Sequence, residues 1–329
     1  MSERTGDRTG DRTGDRTGDV ALIRNPNSSG NRDAAAARGA SFPSAVQVID
    51  CSTLDEMTHS LRQAHAAGAE VVLIDGGDGT VREVLSRLPA IWGPALPQVG
   101  IFPRGNTNLI AREVGELRGP DAVAEILRRR AAGNPLPLVR RRVLRVEYAG
   151  AEHPTMRGFM LGWGAFATGT RIAREEIAAA GPRQAALTVL VLFRRALFGA
   201  GRTELRRGVP ARLVIDGRKT AEAARFIGMA TTLQGPLVAG INPFWGEGPE
   251  PIRWLDVEVP GHRLAFAVPF VLVGRPRRWM RRNGYASGRA KRLELELEAP
   301  FIMDGEVFPP PSRGPLTLSA AEEVSFISL

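Results

Sequence analysis

Residues 71–85 read VVLIDGGDGTVREVL: four apolar residues run into a turn dense in glycine and carboxylate, and a helical pattern follows. Placed between a buried strand and a helix, Gly76-Gly77-Asp78-Gly79-Thr80 lets backbone N–H groups converge on an anion at the helix N-terminus. Glycine allows a phosphate to come close. An aspartate in the same turn repels bare phosphate unless a divalent cation lies between them, so the pattern points to a magnesium–nucleotide complex. The plain reading is a tight strand-to-helix turn with a polar cap. Two carboxylates and three glycines in the five positions from Asp75 to Gly79 favour the functional one.

Two further polar loops fall at the ends of expected strands. Asn25-Pro26-Asn27-Ser28-Ser29-Gly30 offers hydroxyls and a glycine one β-α unit earlier, with Arg24 beside it as a source of positive charge. Alone it is an ordinary Asx or Ser turn. Pro103-Arg104-Gly105-Asn106-Thr107-Asn108 ends a later strand, and Asn108 equally suits the N-cap of the next helix. In an open parallel sheet the loops at the carboxyl ends share one rim. Three such loops on one rim outweigh each taken singly.

These three motifs, in this order, resemble the catalytic domain of the diacylglycerol kinase and sphingosine kinase superfamily, and the similarity extends to Asp304-Gly305-Glu306. The resemblance implies an ATP- and Mg²⁺-dependent lipid kinase, with an α/β nucleotide-binding domain, a β-sandwich-like second domain and an active site in the cleft between. It implies Asp304 as general base and places Glu306 near metal and phosphates. The nucleotide is then expected at Asn25, Pro26, Ser28, Ser29, Gly30, Gly76, Gly77, Asp78, Gly79, Thr80, Arg104, Gly105, Thr107 and Asn108. The metal is expected at Asp78 and Glu306, with Asp78 in reserve as a catalytic group. Many relatives carry aspartate after the third motif's asparagine, where this chain has Leu109.

Phosphoryl transfer needs a proton acceptor, a cation for the phosphates and donors that hold the chain in line, and those residue types meet the three needs. Neither P-loop signature nor a motif lysine occurs, since Lys219 and Lys291 are the only lysines. Arginine has to supply the cationic help, and Arg24 and Arg104 stand nearest. Read alone, Asp304-Gly305 is a hairpin turn between Phe301–Met303 and Val307–Phe308. Two other readings stay open: a soluble-metabolite kinase of the NAD-kinase type, and a nucleotide- or lipid-binding regulator that has lost catalysis.

The elements that must position these groups follow from hydrophobic periodicity. Strands are expected at Val20–Ile23, Val46–Ile49, Val71–Ile74 and Val99–Phe102, alternating with helices as in parallel β-α units. Thr53 and Glu56 have capping-box spacing for a helix that Gly68 ends. Helices are expected from Asn108 to Val114 and from Asp121 to about Ala132. The Gly133-Asn134-Pro135-Leu136-Pro137 stretch divides an α/β domain, 20–137, from a β-rich domain, 138–329. There, period-two stretches stand at Val143–Tyr148, Leu213–Ile215, Leu255–Val259, Leu293–Leu297 and Val324–Ile327, with hairpins at Asp216-Gly217 and Asp304-Gly305. Helices are expected near 165–179 and 183–198. Residues Arg4 to Asp19, four copies of Arg-Thr-Gly-Asp without an apolar side chain, are expected to be disordered.

The chain of 329 residues carries a net charge of +9, which calls for an anionic partner. A lipid substrate at an anionic membrane surface fits, and no nucleic acid is expected. Arg275, Arg277, Arg278, Arg281, Arg282, Arg289, Lys291 and Arg292 form a run without carboxylates, interleaved with Trp279, Met280 and Tyr285. Its plain reading is a solvated face. The apolar stretches Ala185–Phe193 and Leu264–Val273 are too short to span a bilayer and are expected to be buried. The single cysteine, Cys51, excludes an internal disulfide. A cytoplasmic protein held peripherally on the inner face of the cell membrane is the expectation.

Overall fold

The computed structural model describes residues 19–36, 42–43, 46–105, 107–165, 167, 207–220, 222–237, 240–259 and 263–329. The repeat as far as Gly18, Asn106, the helix expected at 183–198 and nearly all of that at 165–179 lie outside them. Strands β1 (Val20–Arg24), β2 (Gln47–Asp50), β3 (Val71–Gly76) and β4 (Gln98–Pro103) fall where periodicity places them. They pair in parallel, in the order β4-β3-β1-β2. Helices α1 (Ser29–Ala36), α2 (Leu54–Ala66), α3 (Asp78–Trp92), α4 (Leu109–Val114) and α5 (Gly119–Ala131) lie among and after the strands.

β3 is apolar on both faces because helices cover both. Val72 and Ile74 join Val84, Leu85 and Leu88 of α3, whereas Val71 and Leu73 join Val123 and Ile126 of α5. α2 opens on the expected capping box: Glu56 N–H donates to Thr53 Oγ1 at 3.2 Å, and Thr53 N–H donates to Glu56 Oε2 at 3.2 Å. The strand order reverses between β1 and β3, with β2 on one side and β4 on the other. Loops leaving the carboxyl ends of β1 and β3 therefore flank the crevice where open α/β sheets hold ligands.

Beyond the break come β5 (Leu138–Tyr148), β6 (Met156–Gly158), β7 (Met160–Gly164), β8 (Val209–Ile215), β9 (Arg218–Lys219) and β10 (Ala223–Thr231). They continue as β11 (Ile252–Glu258), β12 (Tyr285–Ala290), β13 (Arg292–Leu297), β14 (Phe301–Met303), β15 (Glu306–Phe308) and β16 (Leu316–Ile327). These pair antiparallel with one another, and alternate residues face opposite ways. Leu161, Trp163, Ala230 and Ile252 enter one apolar cluster, and Met229, Leu255 and Val257 enter another. β16 runs along β5 and meets β4 in parallel at Phe326 opposite Val99, so one hydrogen-bonded network joins both regions. Asp304 and Gly305, at φ 46° and 85°, make the expected two-residue hairpin between β14 and β15.

One expectation about these elements is overturned. Leu264–Val273 is not a buried element: α6 (Leu264–Leu272) buries Ala267 and Val271, one turn apart, and leaves Phe266 72% and Val273 58% exposed. The apolar residues interleaved in the basic run face inward. Around α7 (Arg278–Arg281), Met280 and Tyr285 are buried with Val257 and Val271, and Trp279 meets the Tyr285 ring edge-on at 6.0 Å. Among the described residues no helix is long and apolar enough to cross a membrane.

Candidate functional site

The three glycine-bearing loops meet. Asn25 N–H donates to the Asp75 carbonyl at 3.1 Å, and Arg104 N–H donates to the Gly76 carbonyl at 2.9 Å. Gly30 N–H donates to the Arg104 carbonyl at 2.9 Å, with Ser29 Oγ on the same oxygen at 3.1 Å. Glycine is required where the backbones touch: a Cβ on Gly77 would stand 3.1 Å from the Gly105 Cα. One on Gly76 would stand 2.6 Å from the Thr80 Cβ. Thr80 is held in turn by Asn25 Nδ2, which donates to its Oγ1 at 3.0 Å.

α3 starts at this junction with Gly77 as N-cap, which has no side chain to satisfy the helix. The first intrahelical bond runs from Val81 N–H to the Gly77 carbonyl, so the N–H groups of Asp78, Gly79 and Thr80 form the positive end of the helix. Asp78 faces elsewhere. Its carboxylate accepts Leu109 N–H at 3.0 Å and Ile110 N–H at 3.2 Å, capping α4, while burial pushes its carboxyl up against the opposing pull of those bonds. It thereby replaces Asn108, expected as the cap. Asn108 adopts φ 49°, makes no side-chain cap bond, and closes its amide onto Gly105 N–H and carbonyl at 2.8 and 2.7 Å.

The arginines expected to assist phosphate are engaged with carboxylates. Arg104 Nε lies 2.8 Å from Asp75 Oδ1, at the buried end of β3. Burial pushes the Asp75 carboxyl up and Arg104 pulls it back. Arg24 forms a fork with Asp50, the second contact at 2.8 Å. Ser29, Gly30, Arg104 and Asn108 thus build the loops' frame, whereas Pro26 and Ser28 line the first loop and Thr107 is exposed.

The β14–β15 hairpin faces α3. Glu306 lies over Gly79 so closely that a Cβ there would stand 2.7 Å from Glu306 Oε1. Asp304 is cradled by β7: Phe159 N–H donates to Oδ2 at 3.0 Å and Met160 N–H to Oδ1 at 2.9 Å. Burial pushes its carboxyl up to about 7, although Arg82 and the two N–H donors pull it down. Room for that carboxylate depends on Gly158, whose Cβ would stand 1.8 Å from Oδ2.

Arg82 joins the two sides, and its role was not foreseen. Only 2% exposed, it donates from Nη1 to the Met303 carbonyl at 3.2 Å and lies 3.3 Å from Glu306 Oε2. It also pairs with Glu83 and stacks 4.8 Å over the Phe308 ring. Burial pushes the Glu83 carboxyl up, but Arg82 and Arg87 outweigh it and hold the group below the usual carboxylate range. The signal for Arg82 was its helical spacing, one turn beyond Gly79 on the same face. Gly158 carried no comparable signal, because the clash it avoids comes from a residue far along the chain.

Nucleotide fits this donor set: helix N–H groups and glycine at close approach suit phosphate oxygens. Among the described residues no group of three or more His, Cys, Asp or Glu side chains forms a metal cage. Asp78 is turned to α4 and does not share a metal position with Glu306. Glu306, 47% exposed, keeps a free carboxylate edge, and one carboxylate with nucleotide phosphates is a usual magnesium set.

A parallel sheet with glycine bends at its switch point, opposed by an acidic hairpin from an antiparallel region, defines a two-part α/β protein with a parallel N-terminal sheet and a β-rich C-terminal region. Residues 19–134 match the family model of the diacylglycerol kinase catalytic domain, the family that the motifs of the chain resemble. Over 78 residues it is 35% identical to the "Probable lipid kinase YegS" proteins of Shigella flexneri and Escherichia coli O1:K1, covering 24% of this chain. The aligned stretch spans about a quarter of those relatives, 25% of their length. A crystal structure of a diacylglycerol kinase from Bacillus anthracis superposes with a TM-score of 0.57 at 15% identity, covering 94% of this chain and 96% of that one. At that identity the likeness concerns the fold.

Proposed function

We propose that the protein is a lipid kinase that transfers the γ-phosphoryl group of ATP to a hydroxyl of a membrane lipid, of the diacylglycerol, ceramide or sphingoid-base class. The carrying observation is the Asp304–Glu306 hairpin set against the open end of α3 and tied to it by Arg82. The N–H groups of Asp78, Gly79 and Thr80 receive phosphate oxygens, and the Gly77–Gly105 contact keeps side chains out of that space. Glu306 would hold magnesium together with the phosphates, and the metal would supply charge neutralisation. Asp304 takes the acceptor hydroxyl's proton as that oxygen bonds to the γ-phosphorus, and the bond to the β,γ-bridging oxygen breaks to release ADP. A carboxyl raised to about 7 is a stronger base than an ordinary one when ionised.

The test is a labelled-ATP assay on a panel of diacylglycerol, ceramide, sphingosine and NAD, with and without Mg²⁺. Label is expected in a lipid, and Asp304→Asn is expected to slow transfer by roughly 10²- to 10⁴-fold. Transfer only to NAD, or nucleotide binding with no transfer to any acceptor, rejects the proposal.

A further inference from the structure

We infer that the outer face of α6 and the arginines around it form a docking surface for an anionic lipid bilayer. All nine residues of α6, LAFAVPFVL, lack charge or hydrogen-bonding side chains. Ala267 and Val271 anchor it to the β-rich region, and Phe266, Pro269, Phe270 and Val273 follow one another on the outward face at helical spacing. Of these, Phe266, Pro269 and Val273 are exposed and Phe270 is half-buried. Pro269, Phe270 and Val273 border an open hollow of about 560 Å³ completed by Arg275, Pro276 and Arg277.

The charge carried by the segment 259–293 is of one sign. Arg263, Arg275, Arg277, Arg278, Arg281 and Arg282 are exposed, and none has an ion-pair partner among the described residues. Elsewhere arginines are commonly paired, as at Arg24, Arg82, Arg104, Arg130, Arg141 and Arg157. From Val259 to Leu293 the sequence contains no carboxylate at all. Arg277 lies 4.6 Å over the Phe270 ring, which puts a guanidinium at the rim of the apolar face.

An anionic bilayer complements both features together. Its acyl boundary accepts Phe266 and Val273, while its phosphate plane meets a collar of guanidiniums, which bind phosphate with a two-pronged fork. A protein partner fits less well, because interface cores are depleted of charge. The surface also has a route to the catalytic cleft. Met160 packs against the α6 cluster, and its N–H holds Asp304 Oδ1. Docking here therefore sets the strand whose N–H group holds the candidate base against the cluster on which the membrane-bound helix packs.

The surface is tested without ATP, separately from the kinase reading. The full chain is sedimented with phosphatidylcholine vesicles and with phosphatidylcholine–phosphatidylglycerol vesicles. Binding is expected to the anionic vesicles only and to weaken with salt. Arg278→Gln, Arg281→Gln and Arg282→Gln together should lower affinity roughly a hundredfold, about fivefold for each charge. Phe266→Ser with Val273→Ser should lower it about tenfold, and Phe266→Trp should retain it. Equal binding to both vesicle types, or indifference to both sets of substitutions, overturns the proposal. So does a dimer that Phe266→Ser dissolves, or a nucleic acid that competes the vesicles away. Kinase failure with vesicle binding intact instead counts against phosphoryl transfer alone.

Discussion

At the scale of single residues, Arg82 decides how the two sides of the site meet. It is a buried cation with two carboxylates, a carbonyl and an aromatic face around it. Removing one member of such a network leaves uncompensated buried charge, which commonly costs about 3–5 kcal/mol. Arg82→Gln should therefore lower the melting temperature and kcat together. Arg82→Lys should recover part of the stability but less of the activity, since an ammonium cannot span Met303 and Glu306 as a planar fork does. Calorimetry and kcat/KM on the three proteins check this. Unchanged kcat in Arg82→Gln would leave the residue with a role in folding only.

Glycines act at the scale of elements, by letting elements touch. Gly77→Ala presses a methyl group on the Gly105 backbone, 3.1 Å away, and should raise KM for ATP by tenfold or more. Gly158→Ala instead displaces the Asp304 carboxylate and should lower kcat with little change in nucleotide affinity. Steady-state kinetics with equilibrium ATP binding separate the two. The same scale explains why some elements were legible in the sequence. β3, the α2 capping box and the Asp304-Gly305 hairpin depend on local rules, namely apolar runs, Thr-x-x-Glu spacing and positive φ at a two-residue turn. α6 was misjudged because an apolar run does not reveal whether a second layer covers it. Only the register of Ala267 and Val271 against the sheet shows which side is left open.

At the scale of the whole molecule, the β-rich region holds a buried charge cluster away from the glycine loops. Arg225 lies 2.8 Å from Asp256 and 2.6 Å from Glu258. Burial nevertheless pushes the Asp256 carboxyl up to about 7, with Arg225 opposing and Glu258 assisting. The folded protein then keeps a proton that the unfolded chain releases near pH 4. Stability from this group is highest below about pH 4, falls as pH rises toward 7, and levels off above it. The loss is on the order of 4 kcal/mol. Asp304, raised to about 7 likewise, adds a similar slope, so urea titrations from pH 4 to 8 should show both and Asp256→Asn should remove about half of the dependence. A slope unaffected by the substitution assigns the dependence to other groups.

The amino-acid sequence by itself determined the strand and helix succession, the three glycine loops and the acidic hairpin, because each is written in neighbouring residues. It also carried the resemblance to the diacylglycerol kinase catalytic domain, whose motifs occupy strand ends. What Asp78, Arg104 and Ser29 do there was decided by the tertiary structure. Their oxygens and guanidinium found partners in Leu109, Asp75 and the Arg104 carbonyl, each brought near by strand pairing rather than by sequence distance. Arg82 and Gly158 belong to the same class. Their importance rests on Met303, Asp304 and Glu306, more than a hundred residues away in the chain, and contacts across that separation exist only once the sheets have closed.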